Sequence, residues 1–276
     1  MGLYFFNMKI TKEGVIEKFY ILRDKLNRKP VKRDDPYLYF LSRKYLGSWN
    51  NLLKEARYTV RLKQYAKIPQ LNRVEFYYFW GLLCTDGHIQ FNEKKGKYRL
   101  IIFTSNENEK CMIKDLIYVL FNYKASLRSK IYGFSKKPNY EIYISSKKIC
   151  KFFCDLGIPS GAKSLIIKIP EIIKKCSDLF FWSFIRGVFD GDGSIISSKN
   201  NWTFKIASGS KIFIHELNDL FLKRSFSPIL RKEKENLWIL KLHKKEEIKK
   251  IYSLIYNDAD KYCYARKRLK WENNNF

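Results

Sequence analysis

Two apolar segments that each end in an Asp-Gly pair constrain the fold of this chain more than any other feature. FWGLLCTDG, residues 79–87, aligns without a gap with IRGVFDGDG, residues 185–193. Both segments have the apolar content of a buried helix, and the glycine after each aspartate marks the end of that helix. The stretch between the two junctions is long enough to hold one complete structural unit, so the sequence predicts an internal duplication.

The elements that follow each Asp-Gly pair recur in the same order. After the first, YRLIIFTS predicts a strand and NENEKCMIKDLIYVLF a helix whose start, Asn106 with Glu109, resembles a capping box. Two further strands and the helix SKKICKFFCDLG complete the unit. WTFKIAS, SKIFIHELNDLF, PILRKEKENLWILKL and HKKEEIKKIYSLIY repeat that order after the second pair. We therefore expect a mixed α/β fold built from two αββαββα units, a fused pseudo-dimer.

Small residues four apart lie in both helices that end at Asp-Gly. Such spacing leaves a groove in which two helix backbones can approach closely. Packing across a pseudo-two-fold axis would then bring Asp86 and Asp192 side by side. The residues predicted at this helix interface are Gly81, Thr85, Gly187 and Gly191.

A pair of carboxylates at helix carboxyl ends is electrostatically unfavourable by itself. The helix dipole is negative at that end, and each carboxylate repels the other. A divalent cation removes both penalties, and Mg²⁺ prefers hard oxygen ligands with room for water. The sequence therefore predicts Mg²⁺ held by Asp86 and Asp192. The alternative is that each aspartate is an ordinary turn residue after a helix stop.

The charge of the chain points to a polyanionic partner. Its 276 residues include 54 Lys and Arg against 27 Asp and Glu, a formal net charge of +27, while a hydrophobic fraction of 46% is ample for a packed core. No apolar run approaches the ~20 residues needed to span a membrane, and the amino terminus lacks signal-peptide architecture. The 6 cysteines form no Cys-x-x-Cys pair, which favours free thiols in a reducing, intracellular compartment (cytoplasmic or organellar) over a zinc site.

The chain divides into four predicted regions. Residues 1–60 read as a small helical accessory module, similar to a helix-turn-helix, in which Ser48 is a plausible N-cap. Residues 61–73 predict a linker. Residues 74–172 and 173–276 are the expected first and second repeats.

At this point the sequence resembles a known family. LLCTDGHI and FIRGVFDGDGSI are similar to the two signature motifs of monomeric LAGLIDADG homing endonucleases, and the resemblance extends over residues 74–276. RKPVKRD and LGSWNNLLKEA resemble the homing-endonuclease-associated repeat. The resemblance implies duplicated αββαββα repeats forming a pseudo-two-fold saddle, a double-stranded DNA target and site-specific, Mg²⁺-dependent cutting of both strands by a monomer. Departures in the first motif leave a nicking enzyme as an alternative.

The resemblance also assigns roles to individual residues. It implies that Asp86 and Asp192 bind the metal, and that a basic residue near the closing helix of each repeat polarises the attacking water or the phosphate. Lys148 and Lys245 are the candidates for that basic residue, with Lys147 and Lys244 as neighbours that could replace them. A polar residue on the second strand, near Thr104 or Lys205, would orient water.

In such proteins two antiparallel sheets lie on the major groove, where base edges can be distinguished. Strand and hairpin residues of both repeats are therefore the candidates for DNA contacts, either to bases or to phosphates. They are Gln90, Asn92, Lys97, Arg99, Arg128 and Lys130 in the first repeat, and Ser198, Asn200, Trp202, Lys205, Arg231 and Lys234 in the second.

Two other functions are compatible with the same fold. One is a maturase that helps an intron RNA to fold, because a surface that holds duplex DNA can also hold structured RNA. The other is a non-catalytic DNA-binding regulator that uses the amino-terminal helices. Loss of one of the two aspartates would favour either alternative, and both aspartates are present.

Overall fold

The computed structural model describes residues 10–60, 64–131, 138–198, 201–257, 259 and 261–273. The chain divides into two compact units, residues 1–63 and 64–276. Each unit has a hydrophobic core of its own. No helix within the described ranges is long and apolar enough to cross a membrane.

The first unit consists of three short helices within its described residues. They are α1 (Lys12–Leu26), α2 (Pro36–Leu46) and α3 (Trp49–Glu55). Each begins at a capping side chain, and Ser48 accepts a hydrogen bond from the backbone N–H of Asn51, as the sequence predicts. The helices enclose a small core centred on Phe19 and Trp49.

The first half of the second unit has the predicted αββαββα order. Its elements are α4 (Val74–Cys84), β1 (Gly87–Asn92), β2 (Lys97–Thr104), α5 (Glu107–Phe121), β3 (Ser126–Lys130), β4 (Asn139–Ile144) and α6 (Lys147–Asp155). The strands form one antiparallel sheet in the order β1-β2-β4-β3. Leu100, Ile102 and Ile142 alternate along the strands and face the buried core.

The second half repeats this arrangement after the short helix α7 (Glu171–Lys175). Its elements are α8 (Asp178–Asp192), β5 (Gly193–Ser198), β6 (Asn201–Ser208), α9 (Lys211–Leu222), β7 (Ile229–Lys234), β8 (Leu237–Leu242) and α10 (Lys245–Tyr256). The second sheet has the matching order β5-β6-β8-β7. The predicted mixed α/β fold with a duplicated core is therefore confirmed. A further helix that the sequence reading did not anticipate, α11 (Ala265–Glu272), follows α10.

The two long apolar helices, α4 and α8, pack against each other at their glycines. A Cβ atom added to Gly81 would lie 2.9 Å from the Cα atom of Gly187, and one added to Gly187 would lie 3.0 Å from the Cα atom of Gly81. Any side chain at these positions would push the backbones apart. One turn further along, Gly191 lies directly against the side chain of Thr85. The glycine groove therefore brings the carboxyl ends of the two helices together.

A buried carboxylate ties α8 to three neighbouring segments. Asp190 is fully buried and accepts hydrogen bonds from the hydroxyl of Tyr78 on α4 at 2.8 Å, from the hydroxyl of Tyr256 on α10 at 2.8 Å, and from the backbone N–H of Tyr264 at 2.7 Å. Burial raises the pKa of Asp190, and the hydrogen bonds oppose that rise. Asp190 thus acts in the framework around the helix ends.

Candidate functional site

The paired helix ends carry Asp86 and Asp192. Asp192 is the last residue of α8, and Asp86 follows the end of α4 at Cys84. Burial raises the pKa of the Asp86 carboxyl to about 6, and the negative charge of Asp192 contributes to that rise. Asp192 is open to solvent on one side, yet the surrounding helix ends exclude enough water to raise its pKa also. The two carboxylates are therefore close enough to destabilise each other when both are ionised.

Two lysines cap the helix ends beside the carboxylates. The Lys163 ammonium donates hydrogen bonds to the carbonyl oxygens of Cys84 at 2.5 Å and Thr85 at 2.7 Å, at the end of α4. Lys267, on α11, donates to the carbonyl oxygens of Phe189, Gly191 and Gly193 at 2.7–2.9 Å, at the end of α8. Each lysine therefore neutralises carbonyl groups that a helix carboxyl end leaves unpaired.

The capping lysines also act on the acid pair. Positive charge from Lys163 and Lys267 lowers the pKa of both Asp86 and Asp192, but it does not cancel the effect of burial. Burial in turn lowers the pKa of Lys163, and that of Lys267 to about 8. The site thus holds two acids and two amines in one partly buried cluster. Clusters of this kind are characteristic of functional sites.

The donor groups at the cluster fit a hydrated divalent cation. Among the described residues no group of three or more His, Cys, Asp and Glu side chains is placed to hold a metal, and the acidic groups at the cluster are the carboxylates of Asp86 and Asp192. Mg²⁺ is commonly bound by one or two carboxylates while it keeps several waters. The fully buried hydroxyl of Tyr264 has no hydrogen-bond partner in the described structure, and the charge of Asp86 acts on it.

The structure does not bring the predicted lysines to the acid pair. Lys148 and Lys245 are exposed in the first turns of α6 and α10, and the cations that act on the carboxylates are Lys163 and Lys267 instead. Of the neighbours named as substitutes, Lys147 forms an ion pair with Glu93 at 2.7 Å. Lys244 donates a hydrogen bond to the Ser227 hydroxyl at 2.9 Å.

The two candidates for water orientation have different surroundings. Thr104 is buried, and its hydroxyl donates to the carboxylate of Glu109 at 2.5 Å. Lys205 lies on the outer face of the second sheet, 3.6 Å from the carboxylate of Glu233. Thr104 therefore takes part in a buried network, while Lys205 remains at the surface.

All the contact residues predicted in the first sheet share its outer face. The register pairs Gln90 with Arg99, Asn92 with Lys97, Arg128 with Glu141 and Lys130 with Asn139. These positions alternate with the core positions along their strands. The guanidinium groups of Arg99 and Arg128 lie 5.3 and 5.4 Å from the centre of the Tyr143 ring. The ring orients two basic groups on this face.

The outer face of the second sheet carries Lys205, Arg231 and Lys241. Lys205 pairs with Lys241, and Arg231 pairs with Ile239. Lys234 follows an irregularity in β7 and pairs with Leu237 on the same face. The backbone of Ser198 ends β5, and Asn200 lies outside the described residues.

Trp202, a predicted DNA contact, does not share the outer face of the second sheet with the basic candidates. It lies two residues before Phe204 on β6, and it packs partly buried against the main core. Successive side chains on a strand point to opposite faces, so Trp202 faces inward with Phe204, while Lys205 faces outward. The indole is therefore part of the hydrophobic layer and not of the basic face.

Comparison with curated proteins finds two relatives from Methanocaldococcus jannaschii. A DNA polymerase is 29% identical over 126 residues, which are 42% of this chain and 7% of the polymerase. A probable translation initiation factor IF-2 is 27% identical over 202 residues, which are 70% of this chain and 15% of the factor. The chain thus spans a small part of the length of either relative.

Comparison with solved structures finds homing endonucleases. I-DmoI in complex with DNA and Ca has a TM-score of 0.53 and 18% identity, covering 72% of this chain and 97% of that one. I-WcaI bound to its DNA recognition sequence has a TM-score of 0.52 and 16% identity, covering 79% and 91%. Residues 182–256 also match the model of the LAGLIDADG-like domain. The protein therefore contains a LAGLIDADG-like domain in its second half, and its larger unit has the fold of LAGLIDADG homing endonucleases.

Proposed function

We propose that the protein is a site-specific DNA endonuclease that hydrolyses both strands of a duplex with Mg²⁺ held between Asp86 and Asp192. The observation that carries this proposal is the convergence of one carboxylate from each half at a single point, beside two amines. A binding protein gains nothing from two acids that repel each other next to a polyanion. A hydrolase gains a metal site.

The chemistry divides between the metal and the protein. When bound, Mg²⁺ would lower the pKa of a water molecule and stabilise the charge that develops on the leaving oxygen. Asp86 and Asp192 would hold and orient the metal against the scissile phosphates. Lys163 and Lys267 remove the repulsion between the helix-end carbonyls and an approaching phosphate, and they add positive charge where the reaction creates negative charge. These two lysines take the role that the sequence reading gave to Lys148 and Lys245.

The outer faces of the two sheets are the proposed DNA surface. Residues 74–172 would contact one half-site and residues 173–276 the other, so that a monomer covers the whole target. The basic groups at Arg99, Arg128, Lys205 and Arg231 would position the duplex by contacting phosphates or would read guanine edges. The helical module at residues 1–60, proposed here to be a homing-endonuclease-associated repeat, would bind flanking DNA, with residues 61–73 as the linker.

The solved relatives support this reading without deciding it. I-DmoI is described in complex with DNA and Ca, and I-WcaI with its DNA recognition sequence. The bound DNA and calcium are properties of those two structures. An intron maturase and a non-catalytic regulator remain the alternative functions, and the retained pair of carboxylates favours cutting over both.

Cleavage of a randomised duplex library tests the proposal. We expect the protein to cut a defined subset of sequences on both strands with Mg²⁺, and to cut none when the metal is chelated. Recovery of the cut ends also gives the target sequence. Tight, salt-sensitive binding to structured RNA or duplex DNA, with no cutting at any Mg²⁺ concentration, would overturn the endonuclease and favour one of the alternatives.

A further inference from the structure

The segment after α10 contacts both halves of the second unit. We call residues 261–272 the carboxyl-terminal clasp; it contains α11. The Trp271 ring is fully buried beside Phe189 at 5.4 Å and Phe204 at 6.0 Å. The backbone N–H of Tyr264 donates to Asp190. These contacts fix the clasp to the second half, to which it belongs in sequence.

Other residues of the clasp reach α5 in the first half. The Tyr262 hydroxyl donates to the carboxylate of Asp115 at 2.8 Å, and the Lys261 ammonium lies 2.9 Å from the same carboxylate. The Arg266 guanidinium donates to Glu109 at 2.6 Å. The Glu109 side chain is only 6% exposed and that of Arg266 is 54% exposed, against 44% for Asp115 and 67% for Lys261. The carboxylate of the Glu109 pair is therefore better shielded from water than that of the Asp115 pair.

Arg266 and Lys267 are adjacent in sequence and serve different halves. Arg266 binds Glu109 of the first half, while Lys267 caps the end of α8 beside Asp192 of the second. Because α11 is a helix of 8 residues, a shift at Arg266 moves Lys267 with it. The position of Lys267 thus depends on a carboxylate in the other half of the molecule.

We infer that Glu109 is a positioning residue for the second half-site, acting through Arg266 to hold Lys267 against the carboxyl end of α8. This inference rests on the proposed function. In the first half, Lys163 lies in the loop after α6 and binds the end of α4 directly. The two half-sites therefore differ: the first is held within one repeat, and the second is held by contacts to both.

The test compares Glu109→Gln, Arg266→Met and the double variant with wild type on the target recovered by selection. Nicking is followed separately on each strand, and Lys163→Met and Lys267→Met identify which strand each lysine serves. We expect all three variants to slow cleavage of the DNA strand that Lys267 serves by about tenfold, while cleavage of the other strand changes little. Small displacements of a reacting group cost large factors in rate. Glu107→Gln, an exposed neighbour on α5, is the matched control.

The variants also separate positioning from electrostatics. Glu109→Gln removes a negative charge that acts on Asp86, whereas Arg266→Met keeps that charge, breaks the ion pair and removes a positive charge that acts on Lys267. The double variant leaves neither charge buried and unpaired, so its folding is protected. If Glu109 acts on Asp86 instead, only Glu109→Gln will change the cleavage rate of the DNA strand that Lys163 serves, and the inference is wrong.

A second measurement does not need cleavage. Acetylation of the metal-free protein, resolved by mass spectrometry, should rise several-fold at Lys267 in all three variants and stay unchanged at Lys163, because only Lys267 loses its carbonyl partners. If wild type cuts no target, the proposed function fails while acetylation still tests the clasp. If wild type cuts, and either strand rates or Lys267 acetylation are unchanged in the variants, the inference is overturned.

Discussion

Replacement of Asp86 by asparagine should stabilise the metal-free protein in a pH-dependent way. The pKa of Asp86 rises from 3.8 to about 6 on folding, mainly because burial disfavours the charged form. The folded protein therefore binds the proton more tightly than the unfolded chain does. Ionised Asp86 lowers the free energy of unfolding, and this loss begins above pH 3.8 and is complete above about pH 6.

The size of the effect follows from the shift. About two pH units at about 1.4 kcal/mol each give a loss of about 3 kcal/mol at pH 8. The asparagine side chain cannot ionise, so Asp86→Asn should raise the free energy of unfolding by up to about 3 kcal/mol at pH 8 and by almost nothing at pH 4. Urea unfolding of the chelator-treated protein, followed by tryptophan fluorescence across this pH range, measures the difference. Asp219→Asn, on α9 of the same unit and away from the acid pair, is the control.

Magnesium should remove most of this stability difference. A cation that binds only the folded wild type at a hundred times its dissociation constant adds about 2.7 kcal/mol, and the variant that lacks a ligand should gain much less. The advantage of Asp86→Asn at pH 8 should therefore nearly vanish with Mg²⁺. A stability difference that does not change with pH, or a wild type that is the more stable protein in chelator at pH 8, would refute this reasoning.

Three further predictions concern packing and DNA binding. Gly81→Ala should lower the free energy of unfolding by about 3 kcal/mol in chemical denaturation, because its Cβ would meet the backbone of α8. Gly14→Ala should not destabilise, because its Cβ would make only an ordinary contact, 3.7 Å from the hydroxyl oxygen of Thr11. Arg128→Ala should reduce the slope of the logarithm of the DNA-binding constant against the logarithm of the salt concentration by about one if the guanidinium contacts a phosphate. Fluorescence anisotropy measures this slope, and an unchanged slope would remove Arg128 from the DNA surface. Trp202→Ala should lower the free energy of urea unfolding by about 2 kcal/mol but change DNA affinity little. Lys205→Ala should lower DNA affinity but change the free energy of unfolding little. Equal losses of DNA affinity in the two variants would restore Trp202 as a DNA contact.

Local pattern was enough to predict the duplicated core. The apolar spacing of α5 and α9, the N-cap at Ser48 and the breaks at Asp-Gly are signals that neighbouring residues carry, so they could be read without the fold. The glycines of α4 and α8 were informative for the same reason, because two helix backbones can approach closely only where the residues between them have small side chains or none. Pairing of Asp86 with Asp192 followed from that geometry.

The residues around the acid pair were harder to predict. Lys163 and Lys267 reach their helix ends only through tertiary structure, and in a chain with 54 Lys and Arg residues nothing local distinguishes them. The helix α11 was missed because ARKRLKWE is mostly charged, and its buried Trp271 gives no periodic pattern. Glu109 matched a capping box, yet its carboxylate binds Thr104 and Arg266 instead.

Trp202 was different, because the sequence did contain the signal. In WTFKIAS the tryptophan alternates in phase with Phe204 and Ile206, both of which are buried, and out of phase with Lys205. Strict use of the two-residue period of a strand would have assigned it to the core. The prediction instead grouped Trp202 with the other strand and hairpin residues as a candidate DNA contact.

Cutting of the selected target by aspartate variants tests the central claim, that one carboxylate from each half forms a single metal-dependent site. Wild type, Asp86→Asn, Asp192→Asn and Asp219→Asn would be compared with Mg²⁺, with both strands resolved on a sequencing gel. The account predicts that either paired substitution abolishes double-strand cutting, while binding of the target persists and Asp219→Asn cuts like wild type. Undiminished double-strand cutting by Asp86→Asn or Asp192→Asn would contradict it.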